Sequence, residues 1–161
     1  MAVAGSWAAL AAFVAVNFAA ASSGAIFKPG LWYEGLSKPS WTPPNWAFPV
    51  VWATLFCMIA AAGWLVWRAA GWSAWPAFAA YGANLALNAG WSALFFGRRR
   101  LDWALVDAVA LLASIGLVMA LFAPISPLAA ALLIPYLLWV GVANLLNLRM
   151  LQLNGATGAG A

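Results

Sequence analysis

The sequence predicts an all-α membrane protein, a bundle of five transmembrane helices forming one domain over residues 1–161, and three observations carry that reading. Of 161 residues, 67% are hydrophobic and only 6% charged, a balance that would leave a soluble domain almost nothing to present to water. The apolar residues come in runs of about 20, the length that crosses a bilayer as helix. Most of the Lys, Arg and Pro residues fall in the breaks between those runs.

Charge and residue types exclude several functions. Seven Lys and Arg stand against three acids, a formal +4, but Arg98, Arg99 and Arg100 form one short loop between apolar runs. Such a loop is a topology signal rather than a nucleic-acid surface, so no nucleic-acid partner is expected. With no His in the chain, imidazole-based zinc or haem sites and Ser-His-Asp or Cys-His catalysis are excluded, and no metal site is expected. Cys57 lies inside a span, has no intrachain partner, and carries no information about redox compartment.

The first run, 7–27, lacks the positive start of a secretory signal and exceeds a typical signal core, so it reads as a retained helix. Its Asn17, Ser22, Ser23 and Gly24 should face the bundle, as packing contacts or as pocket lining. The connection 28–45 is longer than a tight turn needs. It leads into KPSWTPPNWAFPVVW (Lys38 to Trp52), with four prolines and three tryptophans. Proline lacks an amide donor and biases the preceding residue away from helix, so no ordinary helix is expected until after Pro49. The stretch reads as a stiff lid, with Trp41, Pro43 and Pro44 at its centre.

The second span, 46–67, stops at Arg68 and Gly71; the third, 75–96, ends in GRRR. The fourth, 103–122, begins beside Asp102, an N-cap residue type. Pro124 and Pro127 force a break before the fifth, 128–149, where Pro135 should kink the helix. The tail NGATGAGA is small and polar and is expected to be disordered. Five crossings put Lys28, Lys38, Arg98, Arg99, Arg100 and Arg149 on one side and Arg68 alone on the other. The positive-inside rule then puts the N-terminus outside and the C-terminus and proline-rich loop in the cytoplasm of a multi-pass protein, whose expected location is a bacterial cell membrane.

Helical spacing sorts residues into faces. On the third span Asn84, Asn88 and Trp91 share one face and should look inward, because amides in lipid would leave donors unpaired. Ala79, Ala83, Ala86 and Gly90 form a second face, a small-residue ridge suited to close helix approach, within the chain or as a homodimer seam. The fourth span aligns Trp103, Asp107, Ala110 and Ser114; Asp107 should find an interhelical donor. On the fifth, Trp139, Ala143 and Asn147 recur every four residues. Of twelve tryptophans, Trp7, Trp46, Trp67, Trp75 and Trp103 fall at span ends, where indoles suit the headgroup layer, whereas Trp52 and Trp139 lie deeper. Two inward indoles near Asn88 could clamp a flat apolar ligand, or simply pack.

Three blocks in order, KPSWTPPNWAFPVVW, LALNAGWSALFFGRRRLDWALVDA (Leu85 to Ala108) and PYLLWVGVANLLN (Pro135 to Asn147), resemble the TspO/MBR family of tryptophan-rich sensory proteins, relatives of the mitochondrial translocator protein. The resemblance implies a five-helix bundle, commonly a homodimer in membrane lipid, with a pocket under the first loop that binds porphyrins such as protoporphyrin IX and other flat apolar ligands. By position it implies ligand contacts at Ala25, Trp52, Asn88, Trp103, Ala110, Trp139 and Ala143. Porphyrin would be ligand or substrate, with no cofactor. Some bacterial members are reported to degrade porphyrin in light and oxygen; Trp52 and Trp139 would then be the catalytic indoles. Sensor, degradative enzyme and porphyrin or lipid transporter are thus the competing functions. The tyrosine of the animal family's cholesterol motif is replaced by Leu148, which argues against sterol binding by that route; a reversed pattern, Lys28, Tyr33, Leu36, is weak support.

Overall fold

The computed structural model describes residues 2–158, with side chains from residue 6 onward. The described residues form α1 (Ala2–Ile26), α2 (Leu31–Gly35), α3 (Ala47–Ala70), α4 (Trp75–Ser92), α5 (Leu101–Phe122), α6 (Pro127–Leu132) and α7 (Ile134–Asn154). The five long helices α1, α3, α4, α5 and α7 make this an all-α, multi-pass integral membrane protein.

Neighbour relations are cyclic. α1 packs on both α3 and α4, α4 on α5, α5 on α7, and α6 returns to α3. Consecutive helices α3 and α4 are joined by a 3-10 turn, Gly71–Ala74, and Gly71 adopts φ +52°, a left-handed conformation that glycine takes without steric cost. A ring has an inside, and the inner positions are apolar at helical spacing: Leu101, Ala104, Ala108, Leu111, Ile115, Val118 and Phe122 of α5 are all buried.

Four local expectations are corrected. α3 starts at Ala47, before Pro49, because a proline in the first helical turn lacks only an amide that would be unpaired there anyway. The fifth crossing is two helices broken at Leu133, with Pro135 in the first turn of α7 instead of at a mid-helix kink; Ser126 caps α6 by accepting from the Ala129 amide. Asp102 is not the N-cap of α5: Arg100 holds that position, and its guanidinium pairs with the Asp102 carboxylate. Asp107 finds no interhelical donor. Its Oδ2 is buried without a partner among the described residues, and the facing residue of α4 is Gly90, which has no side chain to donate.

The tail is also ordered as far as it is described. α7 runs to Asn154, past the expected end at Arg149, and Ala156 accepts a hydrogen bond from the Leu101 amide at 2.8 Å. Gly158 lies against Leu36 and Trp32. Residues 159–161 lie outside the described residues.

Candidate functional site

The ring encloses a cavity of about 990 Å³. Each long helix contributes residues to its wall: Asn17, Gly24 and Ala25 from α1, Trp52, Phe56 and Ala60 from α3, Asn88 and Trp91 from α4, Ala108 and Leu111 from α5, and Trp139, Ala143 and Asn147 from α7. Its depth is set by how α1 meets α3. At the far end the two helices touch: the Trp64 indole donates to the Ser6 carbonyl at 2.8 Å, and Gly63 is so close to Phe13 that an added Cβ would fall 2.7 Å from its ring. Toward the loop end both helices line the cavity, α1 from Val14 to Ala25 and α3 from Phe48 to Ala60.

The walls are aromatic. Trp52 meets Tyr136 edge-on at 6.1 Å between centroids and Phe56 at 5.6 Å; Phe48 meets Trp139 edge-on at 5.7 Å. A π-helical turn, Ala93–Gly97, ends the third crossing and swings Phe95 and Phe96 to the cavity wall, with Trp91 stacked on Phe95 at 4.8 Å.

Behind these rings runs a directed hydrogen-bond chain. Asn88 Nδ2 donates to Tyr136 Oη (2.8 Å), Tyr136 to Asn84 Oδ1 (3.3 Å), Asn84 Nδ2 to Ser114 Oγ (2.8 Å), and Ser114 to the Leu111 carbonyl (2.7 Å). It pins Asn88, α4 to α7 and α4 to α5 at once, which lipid cannot do for a polar group. Nearer the loop, Trp91 Nε1 donates to Asn147 Oδ1 (3.2 Å) and Asn147 Nδ2 to the Leu101 carbonyl (2.9 Å). Trp139 is different: its Nε1 is buried with no acceptor among the described residues.

The first loop covers the cavity, but not through the expected residues: Lys28, Pro29, Tyr33 and Asn45 line it, joined by Phe48 and Pro49 of the first turn of α3, whereas Trp41, Pro43 and Pro44 do not. The prolines stiffen an outer turn, where Thr42 donates to the Pro39 carbonyl, and it is α2 that drops inward. Burial pushes the Tyr33 phenol above its ordinary range, and Lys38 sits 4.4 Å above its ring. The loop is tied to the end of α7: the Ser37 amide donates to Asn154 Oδ1 and Asn154 Nδ2 donates to the Ser37 carbonyl, both at 2.8 Å. Trp32 Nε1 adds a bond to the Thr157 carbonyl at 3.2 Å.

Of the seven residues expected at a ligand, Ala25, Trp52, Asn88, Trp139 and Ala143 stand in the cavity wall together, and Trp103 and Ala110 do not. Trp103 is 55% exposed on the outer face of α5, with Ala110 exposed on the same side. The phase of α5 is set by Ala104, Ala108 and Leu111, so the stripe through Trp103 and Ala110 turns outward. Ala79, Ala83 and Ala86 are exposed on the outside of α4, with Gly90 half-buried beside Asp107. The lining residues that sequence reasoning missed include Phe48 and Phe56, each one helical turn from Trp52, whose spacing was a usable signal, and Tyr33, which had none.

A five-helix ring around a tryptophan-walled cavity, capped by its first loop, has clear counterparts. The family model described as TspO/MBR family matches residues 8–153. The chain belongs to the TspO/MBR family. It is 36% identical to the tryptophan-rich sensory protein of Cereibacter sphaeroides, covering 92% of each chain. To the tryptophan-rich protein TspO of Chlorobaculum tepidum it is 42% identical, over 90% of this chain and 95% of the relative. To the human translocator protein it is 40% identical, over 72% and 70% respectively. The TspO/MBR match begins inside α1 and ends inside α7, so it spans all five crossings and the capping loop.

Proposed function

We propose that this protein is a membrane receptor that takes a porphyrin of the protoporphyrin IX type into the cavity beneath its first loop and so reports on tetrapyrrole supply. The observation that carries this is the cavity itself: about 990 Å³, walled by Trp52, Phe48, Phe56, Trp91 and Trp139. That volume lies at the upper end of the range for small-molecule sites, and rings on facing helices suit a broad flat apolar body. Membership of a family that includes a protein named as a sensory protein agrees with a receptor role.

Purified protein titrated with protoporphyrin IX gives a shifted, saturable Soret band, and Trp139→Ala weakens it; an unshifted band overturns the reading. A second reading, breakdown of the bound porphyrin in light and oxygen, is favoured by the presence of both Trp52 and Trp139 in the wall, where an indole can donate an electron to an excited ring. Illumination then consumes porphyrin faster with protein than with detergent alone, and Trp52→Phe slows the loss; equal rates refute it.

Two features of assembly belong to the same proposal. The exposed ridge of Ala79, Ala83 and Ala86 on α4, ending at Gly90, serves as the seam of a homodimer. The loop end, with six of the seven cations, faces the cytoplasm.

A further inference from the structure

We propose that Lys28 and Arg99 form an anion port at the mouth of the cavity, which recognises the carboxylate side chains of the bound tetrapyrrole; this rests on the porphyrin reading above. A second, outer cavity of about 560 Å³ lies at the loop end, lined by Lys28, Gly30, Leu31, Trp32, Phe96 and Arg99. Lys28 and Phe96 also line the main cavity, so the two spaces share a wall. Lys28 is the only charged side chain lining the main cavity among the described residues. An apolar slot with a single cation at its rim, opening beside a second cation, fits a ligand with an apolar body and an acidic edge.

The other cations of this end are otherwise engaged, Arg98 excepted. Lys38 donates to the Glu34 and Leu36 carbonyls, Arg100 pairs with Asp102, and Arg149 donates to Gln152 Oε1. Lys28 and Arg99 have no hydrogen-bond or carboxylate partner among the described residues. Arg99 is also the one non-glycine residue with positive φ among those described, at +53°. Side chains rarely adopt that conformation, and glycine would hold it with less strain. Backbone strain of this kind concentrates at ligand clamps, and here it sits at the rim of this pocket.

The test compares protoporphyrin IX with its dimethyl ester, which has the same ring and no acid, in a neutral detergent. Wild-type protein prefers the diacid by about tenfold, as a charge-assisted contact is worth at least that factor. In Lys28→Gln/Arg99→Gln the ratio of the two affinities falls to within about twofold, since the ester has no charge to be recognised. Arg99→Gly, which relieves the positive φ and therefore holds its fold, also lowers the ratio. Equal wild-type affinity for diacid and ester overturns the port alone, and is the result expected if the pocket instead serves a lipid phosphate. A preference that survives both variants overturns it too. Failure of either compound to bind overturns the porphyrin reading and the port with it.

Discussion

The two ends of this bundle are built from the same helices but solve different problems. At the far end, small residues let helices touch: Ala62 and Val66 are fully buried, Gly63 admits the Phe13 ring, Tyr81 stacks on Phe122 at 6.0 Å, and Trp7 stacks on Trp64 at 6.1 Å. At the loop end large rings line the void, and beside a packed cluster of Tyr33, Phe95, Leu101 and Met150 amide hydrogen bonds cross-link the helices. Close-fitting surfaces together with the Trp64 to Ser6 bond close one end, while the bonds through Asn88, Tyr136, Asn84 and Ser114 brace the other around a void. The chain from Asn88 through Tyr136 and Asn84 to Ser114 spans α4, α5 and α7 beside the void.

The largest effect should come from the closed end. Gly63→Val places carbon where Phe13 already sits and should destabilise the bundle by about 3 kcal/mol, the upper range for overpacking. Thermal unfolding in detergent measures this; an unchanged midpoint would mean that α1 and α3 do not rely on close contact. Next, Tyr136→Phe removes the hydroxyl at the centre of the chain, leaving Asn88 Nδ2 and Asn84 Oδ1 unpaired. A loss of about 2 kcal/mol is expected, accompanied by weaker porphyrin binding as Asn88 loses its anchor. Asn154→Ala cuts both bonds to Ser37. Hydrogen exchange should then rise about tenfold across 31–37 with global stability nearly unchanged, because a loop tie contributes to local opening only. The smallest effect sharpens the contrast from outside: Trp103→Phe should leave porphyrin affinity within about twofold, as expected for an exposed surface residue.

How far the sequence reveals this architecture follows from the range of each force. The crossings were legible because apolar run length is a local property, and Trp52, Asn88, Trp139 and Ala143 were legible because helical spacing carries a wall residue's neighbours with it. Trp103 and Ala110, expected at the ligand from the resemblance alone, stand outside the cavity lining for a physical reason. Polar residues in lipid seek a neighbouring helix, as Ser114 seeks Asn84, and that direction need not coincide with the cavity. The roof and the tail were illegible. A loop rich in Pro and Trp advertises stiffness, not which side chains drop inward, and a Gly-rich tail reads as solvent-loving until Asn154 and Ser37, far apart in sequence, are brought together.

Filling the cavity tests most directly whether the void between the helices is the ligand site. Ala143 stands in its wall on α7, so Ala143→Trp places an indole in the open space without disturbing the closed end. Titrated with protoporphyrin IX, the variant should unfold at or above the wild-type temperature and show no saturable Soret shift. A folded Ala143→Trp protein that still binds with wild-type affinity would contradict the assignment, because the porphyrin would then have to sit elsewhere.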